Sequence, residues 1–255
     1  MADGFEPVVD LEKSHGSWLV DGRDGREYLD LFTMFASIPV GYNHPKLLQH
    51  KEDLAIASMN KPTNSDIYTT QLAQFVESFF TVTMPDIFKY GFFIEGGALA
   101  IENALKASFD WKVRKNYQKN GSAQEIGSKV IHFNNCFHGR TGYTISLTNT
   151  SDLRKTANFP KFDWPRIINP AVKFPLNDDN LSYVMSLEAK ALDQIKGPNS
   201  QYGNDVAALI IEPIQGEGGD HHFRTEFFQA LRQICDENEI CLLYTSPSPR
   251  DQRGS

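Results

Sequence analysis

Val206-Ala-Ala-Leu-Ile-Ile211 is an unbroken run of six apolar residues between Asp205 and Glu212. A strand with one face in water alternates apolar and polar side chains, so a run like this reads as a strand covered on both faces. Shorter runs of the same kind stand at Tyr90–Ile94 and Val130–Phe133, and helical segments are expected at Leu99–Gln118 and Ser182–Ile195. Buried strands alternating with helices specify an α/β chain, a mostly parallel sheet with helices on both faces. In such sheets ligands gather at the carboxyl ends of the strands. Ahead of this region, Ser17–Asp30 carries two short apolar runs around Asp-Gly turns, which predicts a hairpin. Asn64-Ser-Asp66 is a cap signal for a helix from Ile67 to about Phe80, with Leu72, Phe75, Val76 and Phe79 at helical spacing.

Composition removes several function classes. The 25 Lys+Arg against 32 Asp+Glu leave a net charge of −7, and no basic cluster offers a face for nucleic acid. No apolar stretch approaches the roughly 20 residues a membrane span needs. Cys136, Cys235 and Cys241 form no paired framework, and Met1–Pro7 shows no secretory pattern, so a cytoplasmic location is expected.

Three segments carry candidate chemistry. Phe92–Lys106 runs from a strand signal through Gly96 and Gly97 into a helix, where unhindered N–H groups and the helix dipole could receive a phosphate. An ordinary strand-to-helix turn would use glycine in the same place, and neither common nucleotide-binding glycine pattern is present. Asn134–Tyr143 follows the second strand signal and places Phe137, His138, Gly139 and Arg140 in a row. These could supply a stacking face, a polar edge, a tight turn and a carboxylate clamp, the last because the arginine fork binds carboxylates through two bonds. His132, Cys136 and His138 lack a fourth ligand, so no metal is expected. Ile210–Asp220 ends the long strand in Glu212 and continues into a glycine-rich loop bearing Glu217. A carboxylate at a buried strand end must meet a donor or face a solvated cleft, whereas His221 and His222 read as loop-capping residues.

Taken together, Glu95–Lys106, Cys136–Tyr143, Phe159–Ile167 and Glu212–Arg224 resemble the class III aminotransferases that use pyridoxal phosphate, and within them the L-lysine 6-aminotransferases. The likeness covers residues 7 to 240. It implies the type I pyridoxal phosphate-dependent transferase fold, with the large domain incomplete, and a homodimer. By the resemblance, Gly97 and Ala98 give N–H groups to the cofactor phosphate, Phe137 stacks on its ring, and His138 belongs to the same cofactor site. Arg140 holds the α-carboxylate of lysine, Glu217 helps the site alternate between substrates, and Glu212 orients the cofactor or its polar neighbours. Ser37–Tyr42 and Asn64–Asp66 line the pocket. The implied reaction carries the ε-amino group of L-lysine to 2-oxoglutarate, giving 2-aminoadipate 6-semialdehyde and glutamate.

The same resemblance divides the chain into residues 1–60, part of a small domain, 61–240, part of the large cofactor-binding domain, and a tail at 241–255. The tail, Cys241 to Ser255, resembles a sequencing-adapter reading frame and is expected to be foreign. The family places an Asp for the pyridine nitrogen and the Schiff-base Lys beyond residue 240. This chain has Thr245 near the first position and no lysine after Lys196, so the polypeptide by itself is expected to be inactive. Alternatives are another class III ω-aminotransferase, acting on ornithine, acetylornithine or 4-aminobutyrate, and a non-catalytic dimerisation partner.

Overall fold

The computed structural model describes residues 5–120 and 125–244, and the chain forms two compact units, Met1–Gly91 and Phe92–Ser255. The boundary expected at residue 60 lies inside the first unit, just past a helix, and most of the segment expected to be foreign, including Thr245, lies outside the described residues.

In the first unit, β1 (Trp18–Val20) and β2 (Glu27–Leu29) form the expected antiparallel hairpin, with Trp18 opposite Leu29 and Val20 opposite Glu27. Its turn is fixed by the buried Asp21, whose carboxylate accepts from the Val8 N–H at 3.2 Å and from the Arg23 guanidinium at 2.8 Å. That guanidinium holds the Asp21 carboxyl well below the usual carboxylate range. Four helices follow, α1 (Thr33–Ala36), α2 (Pro45–Leu48), α3 (Lys51–Met59) and α4 (Thr70–Val82). The α4 cap is Thr69, whose hydroxyl accepts from the Leu72 N–H at 3.2 Å; Asn64 braces it by accepting from the Thr69 N–H at 3.0 Å.

The second unit opens with a difference from the sequence reading. Residues 90–94 form no strand, because a strand exists through its ladder and this segment pairs with no other among the described residues. Its Tyr90 and Phe92 are 92% and 71% exposed. The elements that follow are α5 (Gly97–Asn120), β3 (Lys129–Phe133), α6 (Thr144–Leu147), β4 (Arg166–Ile167), α7 (Asp178–Tyr202) and β5 (Val206–Ile211). The short strands β6 (Ile214–Gln215) and β7 (His221–His222) then precede α8 (Thr225–Glu237) and β8 (Cys241–Tyr244). Thus Cys241–Tyr244, assigned above to the tail, is a sheet strand, and His221 and His222 pair antiparallel with Gln215 and Ile214.

The main sheet has the order β4-β3-β5-β8, all parallel. Every residue of β5 is buried, as its unbroken apolar run requires. Leu209 and Ile211 pack with Ala191 and Ile195 of α7 and Phe227 and Leu231 of α8, while Ala208 and Ile210 pack with Leu105 of α5 and Trp164. Helices therefore cover both faces. No helix among the described residues is long and apolar enough to cross a membrane.

The edge strand β8 is anchored from α5. Lys112 is only 1% exposed, and its ammonium donates to the Asn238 and Glu239 carbonyls at 3.2 and 2.9 Å, groups freed by the end of α8. Burial pushes the Lys112 amine below its ordinary value. Glu239 takes a left-handed φ of 52°, and its carboxylate pairs with Lys115 at 3.2 Å and with Lys119. Replacing Lys112 with Met leaves two carbonyls without that donor. Denaturant unfolding is expected to show a loss of about 1–3 kcal/mol.

Candidate active site

The site forms at the carboxyl ends of β3 and β5. After Phe133 the chain turns through Asn135 at φ 60° and then exposes Phe137 to two adjoining cavities. Phe137 is fixed by its backbone: the carboxylate of Glu212, the first residue past β5, accepts its N–H at 2.7 Å. The acid that had to find a partner at a buried strand end thus finds the main chain of the aromatic residue. The His138 N–H donates to the Thr148 hydroxyl at 3.0 Å, and that hydroxyl donates to the Gly139 carbonyl at 2.6 Å.

Gly139 has φ 113°, and a Cβ there would lie 2.6 Å from the Ala98 Cβ and 2.9 Å from the Thr144 hydroxyl. Glycine is required both by this backbone angle and by the close approach. The contact brings the Phe137–Arg140 loop against the first turn of α5. At that turn a Cβ on Gly96 or Gly97 would meet nothing within 4 Å, and the leading N–H groups of the 24-residue helix have no acceptor within the helix itself. Glu102, one turn further along α5 and 9% exposed, accepts from the Thr141 hydroxyl and the Tyr143 N–H, both at 2.6 Å. It locks the far side of the loop to the helix. Nothing in its sequence surroundings separates it from other helix acids.

The smaller cavity has a volume of about 320 Å³ and is lined by Gly97, Phe137, His138, Ile210 and Tyr244, among others. His138 is 4% exposed, and neither ring nitrogen has a partner among the described residues. Burial, followed by the nearby His132, pushes its imidazole down to about 3. It is therefore a neutral ring with one donor and one acceptor unused, an arrangement that suits a polar ligand atom. His132 is also held down to about 3, first by burial and then by Arg166, whose Nε donates to its Nε2 at 3.0 Å. The Cys136 thiol donates to the Leu147 carbonyl, and burial pushes it up to about 12. His132 and Cys136 thus bond to separate partners, while the His138 ring nitrogens have none among the described residues.

The larger cavity, about 830 Å³, is lined by Ala98, Phe137, Arg140, Arg154 and Lys155, with Phe159 at its wall. Arg140 is exposed and has no carboxylate partner among the described residues. Glu217 sits at the tip of the β6–β7 hairpin. Its carboxylate accepts from the Thr150 hydroxyl at 2.7 Å and pairs with Lys155 at 2.6 Å. The tip reaches the site because Gly218 lies against the loop after β3, where a Cβ would overlap the Asn135 carbonyl oxygen. The structure therefore gathers Gly97, Ala98, Phe137, His138, Arg140, Glu212 and Glu217 around one strand-end region. Ser37–Tyr42 and Asn64–Asp66 belong to the first unit, where Tyr42 bonds Asp30 at 3.2 Å and Asn64 braces the α4 cap.

Residues 2–244 match the model of the class III aminotransferases. The chain belongs to the class III aminotransferase family. Among curated relatives it is 48% identical to the L-lysine-epsilon aminotransferase of Mycobacterium bovis, over 96% of this chain and 54% of that protein. It is 33% identical to a probable mitochondrial 4-aminobutyrate aminotransferase of Caenorhabditis elegans, over 92% of this chain and 52% of that protein. A solved structure of the lysine aminotransferase from M. tuberculosis, in the internal aldimine form, superposes with a TM-score of 0.90 at 48% identity, covering 96% of this chain and 56% of that one. The chain spans about half the length of the relatives it matches. The fold is that of the pyridoxal phosphate-dependent class III enzymes, as the aminotransferase motifs imply, and the family match runs through β8 to Tyr244.

The two neutral histidines give a pH prediction. Their folded values lie below the ordinary 6.5, so the unfolded chain binds more protons as pH falls below that value. Each therefore withdraws up to about 1.4 kcal/mol of stability per pH unit between roughly 6.5 and 3. Urea midpoints between pH 7.5 and 5.5 should fall with acidity, and replacing His132 with Gln should reduce the slope.

Proposed function

We propose that the complete enzyme carrying this chain moves the ε-amino group of L-lysine to 2-oxoglutarate, yielding 2-aminoadipate 6-semialdehyde and glutamate. The observation that carries this reading is Arg140, a cation without a carboxylate partner among the described residues, lining the same cavity as Phe137. Lysine is long enough to anchor its α-carboxylate at such a site while presenting its other end to the aromatic residue. The greater likeness to lysine-epsilon aminotransferases than to the 4-aminobutyrate enzyme supports the same choice.

Pyridoxal phosphate, the cofactor of this family, stores the amino group between the two half-reactions when bound. The residues present fit it. Gly97 and Ala98 offer N–H groups to its phosphate beside the open space at Gly96 and Gly97, Phe137 offers a ring face, and His138 offers a polar edge with unused donor and acceptor. Glu212 orients Phe137 through its N–H. Arg140 orients the carboxylate of lysine, and Glu217 adjusts the site between donor and acceptor substrates. By the family resemblance the lysine that carries the cofactor covalently would follow residue 240, and no lysine stands after Lys196 here, so the 255-residue polypeptide alone is proposed to be inactive. The complete enzyme acts as a cytoplasmic homodimer in this reading.

Isotope transfer tests it. With L-lysine labelled with ¹⁵N at the ε position, label should appear in glutamate, whereas α-labelled lysine should give none. Ornithine, one methylene shorter, should be used about 10–200-fold less efficiently. Label leaving from the α position would overturn the assignment. Replacing Arg140 with Lys should raise KM for lysine by about tenfold or more, because an ammonium cannot reproduce the two-bond fork. Replacing Phe137 with Ala should weaken cofactor binding about three- to tenfold by fluorescence titration, the equivalent of one aromatic contact.

A further inference from the structure

The segment that carries Phe137 and Arg140 is closed on itself. Asn149 joins its two ends: its N–H donates to the Cys136 carbonyl at 2.8 Å, and its side chain accepts from the Asn135 N–H at 2.9 Å. Across the interior, the Cys136 thiol donates to the Leu147 carbonyl, and the Thr148 hydroxyl bonds both His138 and Gly139. A loop tied at its ends and across its middle keeps its own shape, so the place of Arg140 is decided by what holds that loop to its surroundings.

On the α5 side one carboxylate oxygen makes the hold. Glu102 Oε1 accepts from the Thr141 hydroxyl and the Tyr143 N–H, both at 2.6 Å, and from the Thr144 N–H at 3.2 Å. The two N–H groups open α6, which has no side-chain cap of its own, so the acid caps α6 from another helix. Thr141 directly follows Arg140, and its N–H is fixed in turn by the Thr144 hydroxyl at 2.9 Å. Glu102 also stands one turn beyond Ala98 on the same face of α5, and Ala98 is what a Cβ at Gly139 would strike. The first turns of α5 therefore grip the chain on both sides of Arg140, at Gly139 by close contact and at Thr141 by hydrogen bond.

We propose that Glu102 is a positioning residue: by clamping Thr141, Tyr143 and Thr144 to α5 it sets the distance from the head of that helix to Arg140, and so the register between a carboxylate held at Arg140 and a group held at the helix head. The proposal deepens the reading of Arg140 as the carboxylate site and rests on it. Without Glu102 the loop keeps its internal bonds, but Arg140 is no longer fixed to the helix. A misplacement of about 1 Å in such a register costs up to about 100-fold in rate.

Two probes separate this role from a merely structural one. Pentane-1,5-diamine is lysine without its carboxylate, and hexanoate offers a carboxylate without an amine. In the complete cofactor-loaded enzyme, Glu102→Ala should lower kcat/KM for lysine about tenfold or more while the diamine and the cofactor affinity stay within about twofold of the parent. Glu102→Gln, which keeps an oxygen acceptor, should return lysine to within about threefold of the parent. Thr141→Val removes one of the bonds to Glu102 and should lower lysine about threefold, a readout that survives if the alanine variant does not fold. Hexanoate binding, measured by calorimetry, should weaken about tenfold in Glu102→Ala and in Arg140→Lys, with little further loss when the two are combined. Equal losses for lysine and the diamine, or additive losses for hexanoate in the double variant, would overturn the role of Glu102. If Arg140→Lys leaves hexanoate binding unchanged, the carboxylate reading of Arg140 fails and the role of Glu102 falls with it. If Arg140→Lys weakens hexanoate while Glu102→Ala and Thr141→Val do not, the role of Glu102 alone fails.

Discussion

A carboxylate at the end of a strand with no water on either face has to find donors in the protein, and Glu212 finds one in the Phe137 N–H. That bond ties the loop after β3 to the end of β5, two strands that are neighbours in the sheet but far apart in sequence. Phe137 is thereby held where both cavities open, and His138, Gly139 and Arg140 follow from it along the chain. Removing the acid would break that tie and leave the Phe137 N–H without this partner.

Close approach completes the arrangement. Gly139 lets the loop touch Ala98 at the head of α5, and Gly218 lets the β6–β7 hairpin touch Asn135. Two glycines therefore act separately: one brings the head of α5 to the loop that carries the aromatic residue, and the other brings Glu217 to Lys155 and Thr150. Glu102 and Thr148 then brace the loop from the helix side and from behind.

Much of this was legible in the sequence because the signals were local. The six apolar residues of β5 gave its limits without error, and the hairpin at Asp21–Gly25 announced itself through Asp-Gly turns. Residues 90–94 carried an equally apolar signal yet form no strand, since a ladder needs a partner that the segment itself does not encode. β8 was hidden for another reason: Cys241–Tyr244 is continuous with a tail of unlike composition, and its pairing with β5 emerges only in the sheet. The site motifs came through as consecutive residues, whereas their supports did not. Glu102, Lys112 and Lys155 look like ordinary helix or loop charges until distant backbone or side-chain groups are brought against them.

The parallel order of the sheet has a consequence during synthesis. β3 is complete at Phe133, but its partner β5 begins at Val206, about 70 residues later, with only the short β4 formed between them. At about 5–20 residues per second, the ribosome supplies that partner some 4–14 s after β3 has been made. Through this interval Ile131 and Phe133, fully buried in the finished sheet, lack the β5 ladder and the α8 side chains that later cover their face. The pairing that later places Phe137 is thus also the interval in which the nascent chain depends most on whatever shields apolar strands at the ribosome exit.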